Sequence, residues 1–271
     1  MDRYSPTAHN MMEYIDKVYV INMRKDVERM KNFTAMMNRL RIPFERVEAV
    51  DGRTAYLDPN IVDLETLTDS EGGLIMSHVS IWFKVLNEGY NRVLVFEDDA
   101  NTHIDRQLLD EKITKVFEST RAKPPELVFI GSCLDHCEKR KHIVDDIYQT
   151  FRAWCAHALV LTRRAIEKLI PKLPFTTAYD IYIAQFIESG YLTAYTFSKS
   201  IFFQDTNFAS NLRGKRQALE TNVECNEVVK SQDEDFLRVT VVSVCSLFLI
   251  AILTVVIVMV IVYFRDRERR R

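Results

Sequence analysis

The chain alternates short continuous apolar runs with longer stretches of helical periodicity. Residues 17–22, Lys-Val-Tyr-Val-Ile-Asn, are rich in β-branched and aromatic side chains and read as a first strand. Met30, Phe33, Met37 and Leu40 then recur at helical spacing, predicting an amphipathic helix over 25–41 that Pro43 stops. Residues 44–50 read as a second strand, closed by the Asp51-Gly52 turn signal. Strand, helix and strand with short connections make a βαβ unit, which implies a parallel sheet. Residues 53–70 are polar and irregular. Gly72-Gly73 precede a helix whose apolar positions are Leu74, Ile75, Val79, Trp82, Val85 and Leu86.

The run Val93-Leu94-Val95-Phe96 has the unbroken apolar character of a strand buried on both faces of a sheet, and it leads straight into Glu97-Asp98-Asp99. After it the pattern predicts a helix over 104–119, a buried strand over 127–131, a polar excursion over 132–150 and a strand over 154–161. A helix over 163–170 follows, with Thr162 as its N-cap. Asp180 opens a helix over 181–187, a strand covers 191–197, and 201–205 reads as an extended segment leading back toward the site. The fold class is α/β: a mostly parallel sheet flanked by helices.

Composition fits a globular protein with a sizeable core, at 47% hydrophobic and 27% charged residues. A net charge of -2 excludes a global basic field for nucleic acid. One segment departs from this picture. Residues 239–264 carry no charge and are dominated by Val, Ile and Leu, a run longer than the ~20 residues that cross a bilayer. It is read as a transmembrane helix, preceded by a polar, acidic linker over 211–238 and followed by a basic tail over 265–271. The basic tail favours a cytosolic end, which would put the rest of the chain in the lumen. Residues 1–14 lack the apolar core of a signal peptide, which favours a C-terminal tail anchor with the domain in the cytosol. The second orientation is preferred, and the lipid bilayer is an expected partner.

Three acids at the end of a buried strand stand where open α/β sheets present residues to ligands. Hard oxygen ligands suit Mn²⁺ or Mg²⁺, and those ions suit a phosphate-bearing substrate. A solvated acidic turn is the plainer alternative. Asn22 and Asp51 emerge at the same sheet edge. His78, beside an apolar helix face, reads on its own as a structural residue, and Asp180 as an acid favouring a helix N-terminus. Cys133, Cys137, Cys155 and His157 do not have a common zinc spacing; a disulfide or buried thiols are the alternatives.

Several blocks, in order, resemble glycosyltransferase family 25, the family of lipooligosaccharide and collagen galactosyltransferases. They are Val20-Ile21-Asn22-Met23 with Arg24 and Arg29, Phe44-Glu45-Arg46 with Ala49-Val50-Asp51-Gly52, Ile75-Met76-Ser77-His78 with Trp82, and Val95-Phe96-Glu97-Asp98-Asp99. Phe129-Ile130-Gly131-Ser132-Cys133 and Cys155-Ala156-His157-Ala158 are similar to a branch found in fungi and large DNA viruses. The resemblance spans residues 15 to about 210. It implies a GT-A type fold, a UDP-sugar donor and a divalent metal, usually Mn²⁺. Asp99 would then be the direct metal ligand, with Glu97 as a second metal ligand and Glu97 or Asp98 reaching the ribose or a bound water. Asn22, Arg24, Asp51 and Gly52 would line the uridine pocket, and Ser77 and His78 the donor site. The family is inverting, which requires a base for the acceptor hydroxyl; Asp180 is the first candidate and Asp205 the second. Where many members have Leu-Asp-Arg, this chain has Met23-Arg24-Lys25.

The expected activity is therefore transfer of galactose or glucose from UDP to a hydroxyl of a glycan or protein by a membrane-anchored, metal-dependent enzyme. A transferase-like fold retained as a membrane-tethered binding module is the non-enzymatic alternative. A phosphoesterase using the same acids ranks below both, because a two-metal site needs further His and Asp ligands that the sequence does not cluster.

Overall fold

The computed structural model describes residues 10–133 and 137–205. The linker, membrane helix and basic tail expected over 211–271 lie outside the described residues. Among the described residues, no helix is long and apolar enough to cross a membrane.

The elements follow the sequence pattern closely. In chain order they are β1 (Lys17–Asn22), α1 (Val27–Leu40), β2 (Glu45–Glu48), α2 (Asp69–Glu88), β3 (Arg92–Glu97), β4 (Ala100–Asn101), α3 (Arg106–Ser119) and β5 (Leu127–Gly131). Then come β6 (Lys141–Val144), β7 (Ile147–Gln149), β8 (Ala158–Thr162), α4 (Arg163–Leu169), α5 (Tyr179–Glu188), β9 (Ala194–Phe197) and β10 (Phe203–Gln204). Eight strands form one sheet in the order β2-β1-β3-β8-β5-β9-β7-β6, while β10 pairs with β4 apart from it.

The expected βαβ unit is present, with β1 parallel to both β2 and β3. The sheet is more mixed than the sequence pattern suggested. Strand β8 lies between β3 and β5 and runs antiparallel to both, and β7 is antiparallel to β6 and β9. Six of the eight strands still point one way. An antiparallel neighbour needs no crossover helix, and the chain reaches β8 from β5 through the excursion beyond residue 131 instead of through a helix. Part of that polar excursion is the β6–β7 hairpin that extends the sheet.

Period-two alternation sends the central strands' side chains into two separate cores. Tyr19, Ile21, Val93, Val95, Phe129 and Leu159 pack with residues of α2, α4 and α5. Val18, Val20, Leu94, Phe96, Val128 and Val160 pack with residues of α1 and α3. Helices thus cover both faces of the sheet, which is why its strands read as unbroken apolar runs.

Several boundaries move, strand β9 beginning at Ala194 instead of 191, and three of the moves have a local reason. Helix α2 starts at Asp69, three residues before the glycines, because Thr68 and Glu71 form a reciprocal capping box. Gly72 and Gly73 are therefore inside the helix. They admit the loop after β2: a Cβ on Gly73 would lie 2.5 Å from the Val50 carbonyl oxygen and 2.6 Å from the Gly52 nitrogen. Strand β8 starts only at Ala158, because Cys155 adopts a left-handed φ of 64°. Helix α5 starts at Tyr179, so Asp180 lies within its first turn instead of before it.

Close approach, more than chain flexibility, is what fixes Gly73. We expect Gly73→Ala to destabilise the protein by about 1–3 kcal/mol in denaturant unfolding, because backbone must move. Gly72→Ala should be nearly neutral: the added methyl meets the movable end of Leu57, and alanine gains up to about 1 kcal/mol of helix propensity.

Candidate functional site

The site is built by the end of β3, where strand alternation continues into the acids. Val95 belongs to the core beneath α2 and Phe96 to the core beneath α1. Glu97 follows Val95 toward α2 and α5, and Asp98 follows Phe96 toward α1. Asp99 comes next, at the turn into β4.

Asp98 is fully engaged. Its Oδ1 accepts from Arg29 Nη1 at 2.6 Å and its Oδ2 from Asn22 Nδ2 at 2.7 Å. Burial pushes the Asp98 carboxyl up, with Arg29 and Asn22 pulling the other way. Burial also works against the Arg29 charge, but Asp98 and Asp99 outweigh it and hold the guanidinium above its ordinary range. Arg29 Nη1 lies 3.5 Å from Asp99 Oδ2 as well. This buried cation occupies the inward position one turn before Phe33 on α1. That placement was visible in the sequence as an arginine on the apolar stripe, although the sequence reading gave Arg29 no role in the site.

Glu97 and Asp99 are held differently. Burial raises the Glu97 carboxyl, and the negative charge of Asp180 raises it further; Arg29 opposes both. Burial likewise raises Asp99, with Glu97 adding to it and Arg29 opposing. Asp99 Oδ1 is buried and accepts no hydrogen bond from any described residue. Two partly buried acids that repel each other, one with a buried unsatisfied oxygen, form a local excess of negative charge open to a cation.

His78 lies behind Glu97, its Nε2 3.9 Å from Glu97 Oε1. Burial pushes the imidazole down to about 3, so it is neutral and makes no ion pair. Its ring stacks on Tyr179 at 3.9 Å between centroids, and Tyr179 packs in turn with Phe175 and Trp82. This aromatic stack joins α2 to the start of α5 and places Asp180 next to Glu97. Asp180 Oδ1 accepts from the Ile181 amide at 2.9 Å and Oδ2 from the Cys155 amide at 3.0 Å.

Of the residues singled out in the sequence, Asp51, Gly52, Ser77, Glu97, Asp98 and Asp99 line one cleft. Ser77 also has a packing role, accepting from the Val50 amide and donating to the Gly73 carbonyl. Asn22 is buried and bonded to Asp98 but does not line this cleft; it borders a separate depression. Arg24 is placed elsewhere: its side chain is 84% exposed and pairs with Glu48, beside that same shallow depression. Asp205 reaches the acids through its backbone, its amide donating to the Asp99 carbonyl at 2.7 Å. The cleft also takes in Lys25, Arg29, Arg53 and Gln204. Lys25 and Arg53 are exposed loop residues without periodicity to mark them. Gln204 is brought in by the pairing of β10 with β4.

Cys133 and Cys155 are joined in a disulfide. Among the described residues, the group whose ligand atoms lie within 4.8 Å of one another is Cys133, Cys155 and His157. With both sulfurs bonded to each other it offers no thiolate to a metal, so the disulfide alternative holds for this pair.

The sequence profile described as glycosyltransferase family 25 (LPS biosynthesis protein) matches residues 15–183, and the chain belongs to that family. It is 35% identical over 132 residues to the probable inactive glycosyltransferase 25 family member 3 of Rattus norvegicus, covering 43% of this chain and 22% of that protein. It is 24% identical over 180 residues to procollagen galactosyltransferase 2 of Homo sapiens, covering 59% of this chain and 28% of that protein. The chain thus spans about a quarter of the length of these curated relatives. The crystal structure of A197 from STIV aligns with a TM-score of 0.38 at 12% identity, covering 69% of this chain and 83% of that one.

The two classes of acid predict opposite responses to mutation. Arg29→Met should cost about 3–5 kcal/mol in denaturant unfolding, because it leaves Asp98 buried without its cation; adding Asp98→Asn should recover part of that loss. Asp99→Asn should stabilise the metal-free protein at alkaline pH by on the order of 2 kcal/mol. A carboxyl raised in the folded state contributes stability that is lost as pH rises through its folded value. The gain should therefore vanish as pH falls through the ordinary carboxylate range, which thermal unfolding across pH will read.

Proposed function

We propose that this member of glycosyltransferase family 25 transfers a hexose, galactose or glucose, from a UDP-sugar to a hydroxyl of a glycan or protein, with Glu97 and Asp99 holding Mn²⁺ or Mg²⁺. The observation that carries this reading is Asp99, whose buried Oδ1 has no partner among the described residues and which lines the cleft with Glu97. One or two carboxylates completed by substrate phosphates are the usual setting of a Mg²⁺-type ion. When bound, the cation offsets charge developing on the departing diphosphate.

The chain's own residues have separate tasks. Ile21, Ala49 and Val50 give the cleft an apolar wall suited to a uracil ring, beside Asp51 and Gly52. Lys25 and Arg53 stand where phosphate oxygens would need cations. Arg29 with Asn22 fixes Asp98 and so the turn that carries Asp99. Asp180 takes the acceptor hydroxyl proton as that oxygen bonds to the anomeric carbon. The bond from that carbon to the diphosphate oxygen breaks, and UDP leaves with the electron pair. The product is inverted at the anomeric centre.

A second reading has its own support, since a relative at 35% identity is named inactive: the cleft would then bind a ligand without turnover. A two-metal phosphoesterase has less support, as no group of three clustered ligands containing these acids occurs among the described residues. The disulfide favours an oxidising compartment for the domain. That supports a lumenal domain over the tail-anchored arrangement preferred from the sequence.

The test is UDP release by the full-length chain across a panel of UDP-sugars, with and without Mn²⁺. Release should require the metal. Asp99→Asn should lower it by about 10²-fold or more. Asp180→Asn should lower kcat by about 10²–10⁴-fold with little change in donor KM. Folded protein that binds UDP but turns over no UDP-sugar would establish the second reading.

A further inference from the structure

Residues 153–157 do not line the cleft, yet they hold the cleft acid Glu97 and Asp180, which lies outside the cleft lining and acts electrostatically on Glu97. The Cys155 amide donates to Asp180 Oδ2 at 3.0 Å, and the His157 carbonyl accepts the Glu97 amide at 3.0 Å. His157 is itself fixed, fully buried with its Nε2 3.0 Å from the Phe202 carbonyl oxygen. Its ring lies against Gly131, where any Cβ would sit 2.3 Å from Nε2. Cys133, just beyond β5, donates its amide to the Trp154 carbonyl at 3.1 Å, and its sulfur lies 3.5 Å from Oε1 of the cleft residue Gln204.

The weak point of this arrangement is Cys155. Its φ of 64° is left-handed, which costs a non-glycine residue of order 1 kcal/mol or more. The competing conformation can be named. Residues 154–161 read in sequence as one continuous strand, so local preference would extend the chain through 155. An extended residue 155 would turn its amide away from Asp180. What opposes this is the covalent tie from Cys155 to Cys133.

We propose that the Cys133–Cys155 disulfide is a positioning element for the reacting acid. It holds residue 155 in its left-handed conformation, so that the Cys155 amide keeps the Asp180 carboxylate fixed beside Glu97. The inference rests on the role given to Asp180 under the proposed function, but the link between disulfide and carboxylate can be measured without turnover.

Two full-length variants separate positioning from general stabilisation. Cys133→Ala/Cys155→Ala removes the tie and keeps the cost of positive φ. Cys133→Ala/Cys155→Gly removes the tie and that cost together, since glycine enters the left-handed region freely. Both are compared with the parent well below their unfolding midpoints, by hydrogen exchange at amide 155 and by steady-state kinetics. In the alanine pair, exchange at amide 155 should accelerate about tenfold or more and kcat should fall by about 10–10²-fold, with donor KM within about twofold. The glycine pair should recover most of both. Unchanged exchange and kcat in the alanine pair would overturn the proposal. So would equal losses in the two pairs, which would mean that the crosslink only stabilises the fold. If the parent transfers no sugar but exchange behaves as stated, the transferase reading fails and the hold on Asp180 stands.

Discussion

The buried pair of Arg29 and Asp98 is the contact on which the rest of the site depends. It joins α1 to the end of β3 at the point where the sheet stops and the acids begin. Because Arg29 is engaged with Asp98, Asp99 keeps only a longer 3.5 Å contact with that arginine. One strand end thus carries two kinds of carboxylate. Asp98 is consumed by structure, whereas Glu97 and Asp99 retain unmet electrostatic demand. Strand alternation produces this division, since successive residues must face opposite helical layers.

The same geometry explains what could be read from the sequence. Buried strands and amphipathic helices are periodic, so β1, α1, β3 and α3 were legible within a few residues. The Glu97-Asp98-Asp99 triplet was legible because an abrupt change from apolar to acidic marks a strand end. The division of labour among the three acids was not, because it depends on Arg29, about 70 residues away in sequence. Gly72-Gly73 looked like a helix boundary. Gly73 instead gives α2 a bare spot against which the Val50–Gly52 loop packs, and Gly72 faces Leu57, placements set by tertiary neighbours. The antiparallel insertion of β8 was hidden for a related reason: strand composition carries no direction, and the link from β5 to β8 has no helical period to reveal a crossover.

The α5 side of the site shows how an acid can be positioned by aromatic packing. Asp180 sits one residue beyond Tyr179, and Tyr179 is clasped between His78 and the Phe175–Trp82 cluster. A neutral His78 suits this role, because a stacked imidazole without charge adds no repulsion or attraction to the neighbouring acids. The histidine thus stacks on Tyr179 while its Nε2 lies 3.9 Å from Glu97.

The borders of the sheet carry a further consequence. Strand β6 at one border has four residues, two of them the exposed Lys141 and His142, and its pairing with β7 is interrupted by a register shift. Strand β2 at the other border is equally short and bears Glu45, Arg46 and Glu48 around a single buried Val47. Charged, brief and irregular rims are poor templates for a strand from another chain. An extended peptide would find little purchase there, so the rims guard the sheet against edge-to-edge aggregation.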